Sequence, residues 1–157
     1  MHAARRDRRL HPLRESAMIS EAKTDEEILA TRPVMLQLRT AVPADAYLPT
    51  VRAMMADGYR LAAVRDGSGE VVAVAGFRRF QMLYAGGHIL YVDDLSTDAR
   101  RRSEGHGRAL LDWLKAEARR LGCTQLHLDS GVQREQAHRF YFREGLGVNC
   151  LHFRIEL

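Results

Sequence analysis

Between residues 88 and 128 two strand-like runs flank one amphipathic helix, and that order admits few folds. His88–Leu95 is rich in apolar and β-branched residues (Ile89-Leu90-Tyr91-Val92), as is the shorter run Thr124–Leu128. Between them, Leu110, Leu111, Leu114, Ala118 and Leu121 recur at helical spacing, predicting a helix over Gly107–Leu121 with Gly122 as its stop. A strand–helix–strand passage of this length is a crossover that makes its two strands parallel. The turn into the helix, residues 98–106, ends in Arg101-Arg102-Ser103-Glu104-Gly105-His106 and runs into Gly107. Glycines without Cβ let backbone N–H groups converge, and the helix start adds unpaired donors and the positive end of a dipole. The combination is an anion cradle of the kind that holds phosphate or pyrophosphate.

Two familiar phosphate motifs fail here. A P-loop requires Gly-Lys-Ser/Thr, and Gly107 is followed by Arg108-Ala109. A dinucleotide fingerprint requires a third glycine where Leu110 stands, and repeated βα units upstream are absent, although Asp129 mimics the ribose-binding acid of that fold.

Thr24-Asp25-Glu26-Glu27 reads as a capped helix start, with Pro33 breaking or restarting the helix. Pro43-Ala44-Asp45 opens a second helix that ends at Gly58. Tyr59–Arg65 and Glu70–Phe80 form a hairpin around Asp66-Gly67-Ser68-Gly69, and Gly86-Gly87 turns into the His88 strand. Gln133–Arg143 reads as a last helix closed by Gly145, and Val148–Leu157 as a last strand. The order α-α-β-β-β-α-β-α-β describes an α/β fold, a mixed and mostly antiparallel sheet with one parallel step in its middle.

At 157 residues the chain fits one domain, assigned to residues 21–157. Residues 1–20 read as a basic, disordered extension: Arg5, Arg6, Arg8, Arg9 and Arg14 face only Asp7 and Glu15. Most of the net charge of +4 therefore belongs to this tail, which argues against nucleic-acid binding by the folded domain. The tail lacks the apolar core of a secretion signal, and no run approaches the ~20 residues of a membrane span. Cys123 and Cys150 read as reduced core thiols, pointing to the cytoplasm, and no Cys/His spacing fits zinc.

Arg102-Ser103-Glu104-Gly105-His106-Gly107 matches the Arg/Gln-x-x-Gly-x-Gly/Ala motif of the GCN5-related N-acetyltransferase (GNAT) superfamily, between the expected strand and helix. Ala137-His138-Arg139-Phe140-Tyr141-Phe142-Arg143-Glu144-Gly145-Leu146 is similar to its second signature, with Leu146 in place of a common Phe. An Asn frequent seven residues before the Tyr is Arg134 here. The resemblance covers about residues 24–157 and is motif-level over 88–147. It implies the GNAT-like acyltransferase fold, acetyl-CoA as co-substrate, and attack by a primary amine in one ternary complex; a homodimer is compatible with it. It places coenzyme A along Leu95, Ser96 and Thr97 and around Arg102, Ser103, Glu104, Gly105, His106, Gly107 and Arg108.

Arg102 is the motif's own charge, whereas Arg100 and Arg101 read as surface residues. A main-chain N–H near Leu95 would stabilise the oxyanion of the tetrahedral intermediate. Asp93 and Asp94 are adjacent carboxylates in an apolar strand, expected to point to opposite faces, and one with a raised pKa suits deprotonation of an ammonium acceptor. The resemblance favours Asp93 as base and implies Tyr141 as the acid for the departing thiolate. Phe140 and Phe142 read as core, Asp129 as a helix cap, and His138 as bonded to backbone. Residues 24–56 and 80–88 are expected to shape the acceptor pocket. Two rivals remain: a catalytically silent CoA sensor of the same fold, and a nucleic-acid-associated protein that binds through its tail.

Overall fold

The structure, a computed structural model, describes residues 17–157. The basic tail over residues 1–16 lies outside the described residues. The elements run β1 (Met18–Glu21), α1 (Asp25–Leu38), α2 (Tyr47–Ala56, entered through a 3-10 turn), β2 (Arg60–Arg65), β3 (Val71–Met82), β4 (Gly87–Thr97), α3 (His106–Arg120), β5 (Gln125–Leu128) and α4 (Glu135–Arg143). The five strands form one sheet in sequence order, antiparallel from β1 to β4, with β4 and β5 parallel.

Two cores lie on opposite faces of this sheet. Ile28, Val34 and Met35 of α1 and Tyr47 and Val51 of α2 pack on Tyr59, Leu61, Ala63 and Val74. Leu110, Leu114 and Ala118 of α3 pack on Ala62, Val64, Ala73, Ala75, Phe77, Leu90 and Val92. Strand alternation thus feeds both layers.

Helix α1 begins as its sequence dictates. Glu27 N–H donates to Thr24 Oγ1 at 3.2 Å, and Thr24 N–H donates to the Glu27 carboxylate at 2.9 Å, a reciprocal capping box. The expected break at Pro33 does not occur: α1 runs through it to Leu38. Proline removes one helix hydrogen bond, and the burial of Ile28, Thr31, Val34 and Met35 on the sheet outweighs that loss.

Three further expectations change. Met18–Ser20, set aside with the tail, belong to β1, which pairs with β2. Residues 148–157 form no strand: the segment pairs with none of the five strands, so the parallel β4–β5 step lies at the sheet's edge. Neither cysteine is a core thiol: Cys123 is half-buried and Cys150 exposed, the latter because it lies in that unpaired segment.

Strand β1 is fastened by charge. The Arg60 guanidinium bridges the Glu21 carboxylate and Glu117 on α3, the latter at 2.6 Å, and Arg120 donates to Glu117 at 2.6 and 2.8 Å. These hydrogen bonds, from Arg120 first and then Arg60, hold the Glu117 pKa at about 2.

One register break matters most. Gly76 on β3 faces Asp94 while Phe77 faces Val92, so Asp93 is an extra residue on β4. Gly76 admits no side chain: a Cβ there would overlap the Tyr59 hydroxyl and come within 2.5 Å of Asp94 Oδ2.

The substitution Glu117→Gln is expected to lower stability at neutral pH by about 1–2 kcal/mol. The depressed folded pKa stabilises the protein above the unfolded value of 4.5 and ceases to do so as pH falls toward about 2. Wild type and variant should therefore differ less in urea denaturation as pH falls below 4.5 and converge only below about pH 2. Gly76→Ala is expected to cost about 1–3 kcal/mol through overpacking, read from the denaturant midpoint with the far-UV spectrum retained.

Candidate functional site

The bulge at Asp93 corrects the expectation that Asp93 and Asp94 diverge. A regular strand alternates faces; an added residue slips that phase by one, so both carboxylates turn toward the face covered by α1 and α2. Asp94 Oδ2 accepts from the Tyr59 hydroxyl at 2.7 Å, and its Oδ1 accepts from Arg39 Nε at 2.6 Å. Arg39, at the end of α1, also donates through Nη2 to the Asp93 carbonyl at 2.6 Å. Asp93 Oδ2 accepts from Arg78 Nε at 3.0 Å, and that guanidinium lies over the Tyr59 ring.

The two acids are not equivalent. Asp94 is buried with both oxygens engaged. Asp93 is half-buried, and desolvation raises its pKa above the ordinary carboxylate range, although Arg78 opposes the shift. Burial, followed by the neighbouring Asp94 charge, drives the Tyr59 phenol far upward, so it stays a donor. Arg39, Tyr59, Arg78 and Gly76 were not singled out from the sequence. A glycine inside a strand pattern was the available signal, since it marks bulges and close approach.

Beyond the bulge, β4 has β3 on one side only. The β4–β5 ladder ends at the Val92–Leu128 pair, so Leu95, Ser96 and Thr97 face no strand on the β5 side. Leu95 packs toward α3, while Ser96 Oγ turns to the Val34 carbonyl of α1 at 3.4 Å.

The glycine turn sits at the end of this free edge. Ser103 and Gly105 adopt positive φ, 65° and 89°, which bends the turn sharply before α3. Ala109 N–H is the first to bond back, to the Gly105 carbonyl at 3.0 Å. Among the described residues the amides of Gly105 to Arg108 thus lack a main-chain acceptor, as expected of a helix start.

The three arginines divide. Arg100 is bound by Asp98 at 2.7 Å and Glu70 at 3.0 Å, and Arg101 by Asp66 at 2.8 Å and Glu104 at 3.0 Å. Arg102 is exposed and has no acidic partner among the described residues. Glu104 also meets His106 Nε2 at 3.0 Å; its charge is held by these two partners, Arg101 first, which lower its pKa. The His106 ring is buried with Nδ1 unpartnered, so at this position only the main chain faces outward. Arg108 Nε lies 3.6 Å from Glu144 at the end of α4.

Helix α4 docks on the turn. A Cβ on Gly107 would meet Phe140 Cζ at 3.6 Å and Thr97 Oγ1 at 3.4 Å, so β4, the turn and α4 converge at that glycine. Tyr141 follows Phe140, with ring centroids 5.5 Å apart, and burial raises its pKa above that of a free phenol. Its hydroxyl has no hydrogen-bond partner among the described residues. Phe142, expected in the core, is exposed because it lies on the outer side of the helix. His138 Nε2 meets the Gly131 carbonyl at 2.9 Å, as its simpler reading anticipated. Asp129 is not a helix cap: α4 starts six residues later, and the carboxylate instead takes the Tyr91 hydroxyl and His152 Nδ1.

Residues 17–147 match the model of the acetyltransferase (GNAT) family. The chain is 34% identical over 138 residues to an uncharacterized N-acetyltransferase, YhdJ, of Bacillus subtilis, covering 87% of this chain and 96% of the relative. It is 35% identical over 96 residues to an aminoalkylphosphonate N-acetyltransferase of Salmonella typhimurium, covering 61% of this chain and 59% of that protein. Among solved structures, glucosamine-6-phosphate N-acetyltransferase of Arabidopsis thaliana superposes with a TM-score of 0.71 at 16% identity, covering 90% and 99% of the two chains. That likeness shows the same fold, an α/β acyltransferase architecture. The family match over most of the folded residues and a relative alike along almost its whole length place this chain in the acetyltransferase (GNAT) family.

Proposed function

We propose that this chain transfers the acetyl group of acetyl-CoA to a primary amine by direct attack in a ternary complex. The observation that carries the reading is the open side of β4 at Leu95–Thr97, leading into a turn whose amides are unbonded and whose Arg102 is uncompensated. An extended pantetheine arm can pair with such an edge as a strand would, and its pyrophosphate suits the amides of Ser103 to Arg108 with the Arg102 charge beside them. The side chains of Glu104 and His106 take no part in that contact, since each already holds the other.

The acceptor approaches from the α1–α2 face, where Asp93 stands. Its ammonium gives a proton to the Asp93 carboxylate, directly or through water. The amine nitrogen then forms a bond to the thioester carbon, and the Leu95 N–H receives the developing oxyanion. As the C–S bond breaks, the thiolate takes the Tyr141 phenolic proton; the excess proton on the attacking nitrogen passes through water to restore the phenol, and Asp93 gives its proton to solvent. The products are the N-acetyl amine, free coenzyme A thiol and one released proton. Asp94 is the positioning member of the pair, its oxygens committed to Tyr59 and Arg39. Both cysteines are free, Cys123 half-buried and Cys150 exposed, and direct attack by the amine uses neither. The hairpin between β3 and β4 exposes Leu83 and Tyr84 at its tip and forms an outer wall for the acceptor. One relative is named for aminoalkylphosphonate, but the overlap with it is partial, so the acceptor is assigned only as a primary amine.

Thiol release measured with acetyl-CoA and a broad amine panel tests the assignment. Turnover with at least one amine is expected, and tight acetyl-CoA binding without turnover on any amine would replace it with a sensor role. Tyr141→Phe is expected to lower kcat by about 10²-fold with little change in the KM for acetyl-CoA. Asp93 must be ionised to act, so kcat/KM should fall as pH drops through its raised pKa. Asp93→Asn should lower kcat/KM by about 10²-fold or more and remove that acidic limb.

A further inference from the structure

We infer that Arg78 is a positioning residue for the proposed base: laid over the Tyr59 ring, its guanidinium holds Asp93 by Oδ2 and leaves Oδ1 for the acceptor's ammonium. The role presupposes that Asp93 takes the acceptor's proton, as proposed. It gives that carboxylate a group that aims it and keeps it charged.

The register puts Arg78 in reach. Phe77 pairs with Val92, and both enter the core under α3, so Arg78, one residue on, points to the face covered by α1 and α2. Its cross-strand partner is Tyr91, and Asp93 lies two residues further along β4, a diagonal that a long side chain spans. Arg78 Nε donates to Asp93 Oδ2 at 3.0 Å, with the arginine side chain 28% and the aspartate side chain 22% exposed. Asp93 Oδ1 accepts from no side chain among the described residues.

The contact is stiffened from the Tyr59 side. A long side chain loses rotamer freedom when it forms an ion pair, and an exposed pair gains little for that reason. Here the guanidinium carbon stands 5.6 Å from the centre of the Tyr59 ring, a cation–π contact that orients it before the acceptor arrives. Tyr59 is itself fixed at both ends. Its N–H donates to the Met54 carbonyl of α2 at 3.0 Å, and its hydroxyl reaches Asp94 Oδ2 at 2.7 Å through the space that Gly76 leaves without a Cβ. One aromatic side chain therefore serves both acids, Asp94 by its hydroxyl and Asp93 through the arginine on its face.

The other charges around Asp93 do not take this part. Asp94, next to it on β4, opposes its ionisation. Arg39 of α1 turns Nε to the Asp94 carboxylate and Nη2 to the Asp93 carbonyl, and the Tyr91 hydroxyl turns to Asp129. Arg78 is the one cation bonded to the Asp93 carboxylate among the described residues. Without it, burial and then the Asp94 charge would keep Asp93 protonated to higher pH, and the carboxylate would be free to swing.

Two substitutions separate charge from aim. Arg78→Met removes both, whereas Arg78→Lys keeps the charge and loses the planar group that stacks on Tyr59. In protein carrying 13C-labelled aspartate carboxyls, with Asp93 assigned through Asp93→Asn, the Asp93 signal should titrate about one pH unit higher in Arg78→Met and within a few tenths of a unit of the unaltered chain in Arg78→Lys. With acetyl-CoA and the amine that turns over fastest in the thiol-release panel, the acidic limb of kcat/KM should follow the same order. The plateau above that limb should fall by about 10-fold in both variants, with the KM for acetyl-CoA unchanged. An unmoved Asp93 titration in Arg78→Met overturns the inference, and so does a full plateau in Arg78→Lys. Should Arg78→Met fail to fold by its far-UV spectrum, the Arg78→Lys plateau decides. An acidic limb that survives in Asp93→Asn removes the base assignment and this role with it. A limb lost in Asp93→Asn but unmoved in Arg78→Met overturns the role of Arg78 alone.

Discussion

A single extra residue in β4 organises the site. Opposite Gly76 the strand carries Asp93 and Asp94 where a regular ladder has room for one, and the side-chain phase slips at that point. Before the slip, Leu90 and Val92 feed the α3 core; after it, Leu95 does so from what would otherwise be the wrong face. Without the bulge, one carboxylate would be driven into the hydrocarbon under α3, where an unpaired charge costs several kcal/mol. With it, both acids share the face covered by α1 and α2, and the absent Cβ of Gly76 is replaced by the Tyr59 hydroxyl.

Charge is distributed unevenly around this centre. Asp94 is neutralised and bonded at both oxygens, which makes a buried carboxylate tolerable. Asp93 has Arg78 beside it but remains desolvated enough to hold its proton more readily than a free carboxylate. At the glycine turn the logic is inverted. Four carboxylates, from Asp66, Glu70, Asp98 and Glu104, compensate Arg100 and Arg101 and leave the guanidinium of Arg102 to the solvent. A run of three arginines thus presents far less free charge than its sequence implies.

Features governed by neighbours in sequence were legible there. Thr24 and Glu27 build their capping box within four residues, the Asp66–Gly69 hairpin closes locally, and the Arg102–Gly107 motif lies between the strand and helix anticipated for it. Features decided by contacts across the sheet were not. Pro33 is tolerated because α1 is pressed onto β3 and β4, and the direction of Asp93 depends on a glycine in a different strand. The final residues have strand character but pair with no strand of the sheet, so their period was visible and their state was not. The roles proposed for Tyr141 and Asp93 rest on family resemblance; to these the geometry adds Arg78 bonded to Asp93 and the Phe140 ring beside Tyr141.

The Arg39 contacts tie two parts of the protein that are usually regarded as separable. Arg39 belongs to the end of α1, part of the wall expected to vary with the acceptor, yet its guanidinium grips the Asp94 carboxylate and the Asp93 carbonyl together. The helix proposed to line the acceptor and the carboxylates proposed to sit at the chemistry therefore form one mechanical unit. Exchanging α1 for that of a relative with different acceptor preference would loosen the bulge unless the graft brought a residue with the same two-pronged reach. The β3–β4 hairpin tip, where Leu83 and Tyr84 are exposed, carries no such attachment to the acids among the described residues and could change without disturbing them.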